Sequence, residues 1–296
     1  MPRSIASVAT RHGGRRLTPT IFLVVLCAAA IHASWNALVK SMANKVVSMT
    51  AVTIGHAPLA LLALPFVPPP PLEAWPYLAG SVVVHTGYQL SLMRTYRLGD
   101  YTQVYPIARG SGPALVALFS LTVLDAGLGV GELLGIALIV LGSFTLGLVK
   151  GRDGLRNPTA GGAALITGVF IASYSLLDGL GARASGHAIG YITWLPLTNA
   201  LVFACLMAAL DKNALKATFT VGLRPLILGG GGSVLAYALV VWAMTHAPIA
   251  VVTALRETST VFALFIGVIF LGEKLTGGKI LATCLVLAGV ITLRLW

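Results

Sequence analysis

From Ile21 onward the chain is a succession of apolar runs, each about 20 residues long, separated by short polar or proline-rich interruptions. Ten such runs can be marked: 20–40, 46–67, 73–93, 102–124, 129–149, 159–180, 188–210, 224–246, 249–271 and 276–295. Each is long enough to cross a hydrocarbon layer as a helix. Helices are the expected form, because lipid offers no water to an unsatisfied backbone. The alternation of a transmembrane barrel is absent. PPPP at 68–71 and GRDGLRNP at 151–158 mark loops.

Composition agrees with this pattern. The chain is 57% hydrophobic and 10% charged. A water-soluble domain carries about a quarter charged residues, so this chain cannot coat a globular surface. The net charge of +11 is scattered over short loops and an N-terminal stretch, with no basic patch interleaved with aromatics. It reads as contact with lipid head groups and a topology signal, not as nucleic-acid binding. Cys27, Cys205 and Cys284 each sit inside an apolar run and read as small packing residues. The six histidines show no pair at zinc spacing on one helix, so neither metal nor cofactor is expected.

The N-terminus MPRSIASVATRHGGRR, followed by an apolar run, imitates a signal peptide. The first run has a counterpart later in the chain, which argues that it is retained. GSFTLGL (142–148) matches GVITLRL (289–295) at an offset of 147, and the same offset places Arg109 on Arg256 and Gly131 on Gly278. At an offset of 139, PT (19–20) falls on PT (158–159) and ASWN (33–36) on ASYS (172–175). The expected organisation is a basic tail over 1–19, a first five-helix repeat over 20–150 and a second over 157–296. Five is odd, so the second repeat must enter the membrane from the opposite side. The fold class expected is therefore an all-α integral membrane protein of ten transmembrane helices in a 5+5 inverted repeat, an arrangement that puts a substrate site near the midplane.

ALRETSTVFALFIGVIFLGEKLTGGKILATCLVLAGVITL (254–292), with its Gly272–Glu273 pair, resembles the EamA-like family of the drug/metabolite transporter superfamily. So do the first-half echo YPIARGSGPALVALFS (105–120) and the order of the spans. The resemblance runs from about residue 19 to the end. It implies a 5+5 inverted fold, a central cavity lined mainly by spans 1, 3, 4, 6, 8 and 9, and transport of small metabolites.

Several polar residues stand out against this background. In IHASWNALVK (31–40), His32, Asn36 and Lys40 fall four apart on one helical face, with Trp35 beside them. Such a stripe is costly against lipid and is expected to line the pathway, Lys40 reaching the interface. Arg109 and Arg256 are each the eighth residue of their spans, about 10–12 Å along the helix. A planar guanidinium suits carboxylate, phosphate or phosphonate, so the pair is expected to read an anionic group on the substrate. The alternative is a static ion pair with an acid such as Glu257, which is also the expected carrier if transport is proton-driven. His85, Tyr88 and Gln89 in span 3, with Tyr96, and Ser233 and Tyr237 in span 8, are expected on the cavity wall. Pro106 and Pro113 flank Arg109 and permit a kink.

The function expected is secondary transport by alternating access, with efflux of an anionic or zwitterionic compound such as an amino acid or organic acid. Proton-coupled efflux of lipophilic cations is the alternative. A membrane-embedded hydrolase would need a base beside Ser111 in RGSGP (109–113), and the histidines are distant in sequence, so the chain is not expected to be an enzyme. The partners expected are a small-molecule substrate and the bilayer, with no nucleic acid, and a monomer or homodimer. The location expected is the cell membrane, the inner membrane in a bacterium. Arg3, Arg11, Arg15 and Arg16 favour cytoplasmic termini, as the resemblance implies. Lys45, Arg97, Lys150, Arg152, Lys212 and Lys216 on the opposite loops pull the other way.

Overall fold

The computed structural model describes residues 17–40, 42, 44–99, 101–149, 157–272 and 274–296; side chains at 38–40, 101–103, 149 and 271 are outside the description. The N-terminal arginines, Lys150, Arg152, Glu273 and the side chain of Lys40 therefore lie outside the described residues. The helices are α1 (Pro19–Lys40), α2 (Lys45–Ile54), α3 (His56–Ala63), α4 (Trp75–Leu98), α5 (Tyr101–Thr122), α6 (Val130–Val149), α7 (Pro158–Ala184), α8 (Ala188–Leu210), α9 (Lys212–Thr218), α10 (Gly230–Met244), α11 (Ile249–Leu255), α12 (Ser259–Leu271) and α13 (Gly277–Leu295). Short turns join some of them into longer rods. A 3-10 turn, Arg256–Thr258, joins α11 to α12, and a π turn, Pro225–Gly229, leads into α10.

Local sequence explains the ends. Asn44 accepts from the backbone N–H of Val46 and Val47 to start α2. Asn157 accepts from Ala160 N at the head of α7, with Pro158 in the first turn. The same Asn157 side chain donates to the Leu98 carbonyl, tying the start of α7 to the end of α4. Four consecutive prolines, 68–71, lie between α3 and α4, in the loop the sequence predicts.

Among the described residues, eight helical segments are long and apolar enough to cross a membrane. α4 and α5 fall outside that count, and these two carry several of the polar side chains that meet at the centre of the bundle. Large apolar side chains cover the outside: Leu23, Leu134, Ile166, Phe265 and Ile269 are all about half or more exposed. Such a surface is at home in hydrocarbon, and the chain is a multi-pass membrane protein. The three cysteines are free and are also exposed on this surface.

The packing is reciprocal. α1 packs against α10 and α12, while α7 packs against α4 and α5. α6 and α13 form the most extensive pair. A Cβ on Gly142 of α6 would lie 2.8 Å from the Ala282 carbonyl oxygen, and one on Gly289 of α13 would lie 2.6 Å from that of Gly135. Gly142 and Gly289, and likewise Gly135 and Ala282, are 147 positions apart. The offset seen in the sequence is therefore an interhelical contact made twice. Because low numbers on one helix meet high numbers on the other, the two helices run antiparallel. Small residues let the backbones approach this closely.

Replacing Gly289 by Leu is expected to destabilise the protein by about 1–3 kcal/mol through overpacking. Gly161→Ala, where nothing lies within 4 Å, is expected to be neutral. Thermal unfolding in detergent, with monodispersity as a second readout, distinguishes the two.

Candidate functional site

A cavity of about 160 Å³ opens at the centre of the bundle. His32, Trp35 and Asn36 of α1 reach its wall, as do His85, Tyr88 and Gln89 of α4. Arg109 from α5, Tyr237 from α10 and Arg256 from the 3-10 turn complete this polar set. Tyr96 and Ser233 also line it, and Ser233 Oγ lies 3.2 Å from His56 Nε2. The structure thus brings together side chains that the sequence placed on five separate spans. GGGGS at 229–233 serves close packing: a Cβ on Gly230 would lie 2.5 Å from Gly55 Cα, and one on Gly232 would lie 3.1 Å from Trp35 Cβ.

Arg109 is fully committed. Its Nη2 lies 2.9 Å from Glu257 Oε1, its Nε donates to Glu257 Oε2 at 3.3 Å, and Nη2 also donates to the Arg256 carbonyl and to Ser259 Oγ. Nη1 donates to His32 Nε2 at 3.4 Å, and Asn36 Nδ2 donates to the same nitrogen at 2.8 Å. His32 therefore presents its Nε2 as an acceptor. Trp35 meets His32 edge-on at 5.0 Å, and its buried indole N–H has no partner. Glu257 finds its partner across the bundle and not in its neighbour Arg256, as adjacent positions on a helix would require.

Arg256 is different. Its guanidinium lies 5.3 Å from the centre of the Tyr237 ring, and its Nη1 is buried without a hydrogen-bond partner. Among the described residues, no carboxylate lies within ion-pair distance of it. The offset of 147 that equates the two arginines puts Gly110 where the second half has Glu257. Two equivalent cations thus share one acid, and Arg256 has no ion-pair partner among the described residues. The pair expected to read an anionic group is thus unequal: Arg109 is occupied and Arg256 Nη1 has bonding capacity to spare.

On the α4 side of the cavity the structure assembles a cluster that sequence reasoning missed. Asp178 of α7 is completely buried. Ser81 and Tyr237 donate to it in very short hydrogen bonds, Tyr191 OH donates at 3.1 Å, and His85 Nε2 lies 3.0 Å from its Oδ2. His85 is stacked on Tyr174 at 4.3 Å. The apolar window ends the sixth span at 180, which leaves Asp178 looking terminal. The helix runs on to Ala184, so the acid sits more than a full turn inside. The usable signal is that an acid next to an apolar run needs partners, and Ser81, His85 and Tyr237 were the polar groups available.

Gln89 is also more than a wall residue. Its Nε2 donates to Thr53 Oγ1 at 3.1 Å and Asn199 Oδ1 at 2.9 Å, tying α4 to α2 and α8, while its Oε1 is buried and unpartnered. Ser111 spends its hydroxyl on the carbonyls of Ile107 and Ala108 in its own helix. No group of three or more metal-ligating side chains occurs among the described residues.

A helical, multi-pass membrane protein with a polar central cavity is the class this geometry defines. The model of the EamA-like transporter family matches residues 19–148 and again 160–295, and the chain belongs to that family, within the drug/metabolite transporter superfamily. A solved crystal structure, described only as that of a protein, superimposes with a TM-score of 0.75 at 18% identity, covering 93% of this chain and 98% of the other. That likeness concerns the fold. No curated protein matches.

Removing one partner of a buried ion pair leaves the other charge uncompensated and costs about 3–5 kcal/mol. Glu257→Gln is expected to lose stability on that scale, and Arg109→Gln/Glu257→Gln together to lose less than Glu257→Gln alone. Unfolding midpoints of the two single variants and the double variant check this as a double-mutant cycle.

Proposed function

We propose that this chain is a secondary transporter that moves a small anionic or zwitterionic metabolite, such as an organic acid or amino acid, by alternating access. The observation that carries the reading is Arg256, a buried guanidinium on the cavity wall with an unpartnered Nη1 and no acid paired to it among the described residues. A planar fork in that state is ready for a carboxylate, phosphate or phosphonate oxygen. Asn36 and His32 border the same space with polar atoms, while Trp35, Tyr88 and Tyr237 give it flat apolar walls. Arg109 and Glu257 hold the frame on which Arg256 sits. A lipophilic cation would find Glu257 already neutralised by Arg109 and would meet the Arg256 guanidinium.

The reading includes ten transmembrane segments in a 5+5 inverted repeat, with α4 and α5 as the two that hydropathy under-scores. The reciprocal packing and the antiparallel α6–α13 pair support it. In an inverted repeat, rocking of one half against the other opens a central site to each side in turn. We assign the protein to the cell membrane, with export as its direction; net uptake into right-side-out vesicles would reverse that assignment.

A thermal-shift screen of the purified protein tests the site. The panel comprises amino acids, carboxylates, phosphate and phosphonate compounds, and lipophilic cations. At least one anionic or zwitterionic compound is expected to stabilise the wild type, and Arg256→Gln to abolish that shift. Stabilisation by cations alone overturns the reading.

A further inference from the structure

Four buried side-chain atoms of cavity-wall residues lack a hydrogen-bond partner among the described residues, and they sort by what they can do. Arg256 Nη1 and Trp35 Nε1 can only donate, Gln89 Oε1 can only accept, and Ser48 Oγ can do either. The two donors stand around one network. Arg109 donates to the Arg256 carbonyl and to His32, and Trp35 meets the His32 ring edge-on. The acceptor belongs to other elements: Gln89 of α4 is tied to Thr53 of α2 and Asn199 of α8. The wall thus offers free N–H groups on α1 and the 3-10 turn, and a free carbonyl oxygen on α4.

Neighbouring side chains fix which end of the Gln89 amide is free. Thr86 Oγ1 donates to the Val82 carbonyl at 2.8 Å, so it has no hydrogen left and accepts from Asn199 Nδ2 at 3.5 Å. Asn199 therefore turns its Oδ1 toward Gln89, whose Nε2 donates to it at 2.9 Å. The second hydrogen of Nε2 goes to Thr53 Oγ1 at 3.1 Å. Turning the Gln89 amide over would set two acceptor oxygens face to face. Both amide hydrogens are committed, and only the oxygen can serve a ligand. Gln89 is 4% exposed, and a buried acceptor without a partner is costly until something donates to it. Ser48 is less suited to that role. It sits within a turn of Lys45, which also lines the cavity and whose Nζ donates to the Met42 carbonyl, so a cation already stands at that end of α2. Thr53, which holds Gln89, lies about 12 Å further along the helix.

We propose that Gln89 Oε1 is a second substrate contact, which accepts a hydrogen bond from an ammonium or a hydroxyl on a substrate whose anionic group sits at Arg256. The substrate class narrows accordingly to amino acids and hydroxy acids, and acids that carry no hydrogen-bond donor fall outside it. This rests on the anion site described above and adds the group that selects among anions. Selection comes from the bond left unmade. A plain acid fills the same space and keeps Arg256 satisfied, but it leaves the Gln89 oxygen dry and unpaired, and sites built to bond a polar group reject the analogue that lacks it.

The test uses purified full-length protein and calorimetry at neutral pH, with ligands in matched sets that share a carbon skeleton. The sets are alanine, lactate and propionate; phenylalanine, phenyllactate and phenylpropionate; and 4-aminobutyrate, 4-hydroxybutyrate and butyrate. In at least one set the amino or hydroxy acid is expected to bind the wild type about tenfold or more tightly than the plain acid. Whichever of the two binds tighter identifies the donor as ammonium or hydroxyl. Gln89→Met, which keeps the length and removes the amide, is expected to bring the set to near parity by weakening the donor-bearing ligand while the plain acid keeps its Kd. Gln89→Glu, which keeps an acceptor oxygen, is expected to retain the preference. Equal weakening of both ligands in Gln89→Met, or a preference that survives it, overturns the role of Gln89. Should the variants fail to fold, the wild-type comparison decides alone: equal affinities within every set overturn the second contact and leave the anion site standing. Failure of every acid to bind overturns the anion site and this inference together.

Discussion

A charged group buried in the membrane must be answered by another, and the Arg109–Glu257 pair is where this protein meets that requirement first. The guanidinium comes from α5 and the carboxylate from the turn between α11 and α12, so the pair pins one half of the chain to the other at the centre of the bundle. Arg109 also holds the Arg256 carbonyl and the Ser259 hydroxyl, which fixes the backbone of the turn itself. The turn in turn aims Arg256 into the cavity. Without the pair, the site loses its geometry.

Around that fixed centre the polar groups divide by partner. His32 and Asn36 accept and donate within the Arg109 network, whereas His85, Tyr191 and Ser81 close around Asp178. Tyr237 touches both sides of the cavity, through its hydroxyl and its ring. Buried polar networks of this sort are stable only when nearly every atom is satisfied. Of the seven buried side-chain atoms without a partner among the described residues, four, Arg256 Nη1, Trp35 Nε1, Gln89 Oε1 and Ser48 Oγ, belong to residues of the cavity wall.

Much of this was legible in the sequence because membrane helices obey few rules strictly. The i, i+4 line of His32 and Asn36 marked the cavity face of α1, and the depth of Arg109 and Arg256 marked the centre. The repeat offset was legible too, since Gly142 and Gly289 occupy equivalent positions in two matching close contacts, with Ala282 and with Gly135. What was not legible came from limits of the same signals. Hydropathy ends a span where polarity begins, so it closed α7 at 180, four residues early, and left Asp178 looking terminal. It also left α4 and α5 weak as spans, because their polar faces turn inward. Which arginine would take the single acid depended on packing across the bundle, and no spacing along the chain encodes that.

The unequal treatment of the two arginines bears on how such a chain could have arisen from a duplicated gene. Suppose either half associated with a copy of itself. Two first halves would bring Arg109 against its twin with no acid between them, because Gly110 stands where the other half has Glu257. Two second halves would bring two arginines and two glutamates, and the cavity would hold no uncompensated cation. Only the unlike pair leaves one arginine neutralised and one available. Once Glu257 was present in one half and absent from the other, neither half could stand in for its partner, and the division of labour had become tied to the single continuous chain.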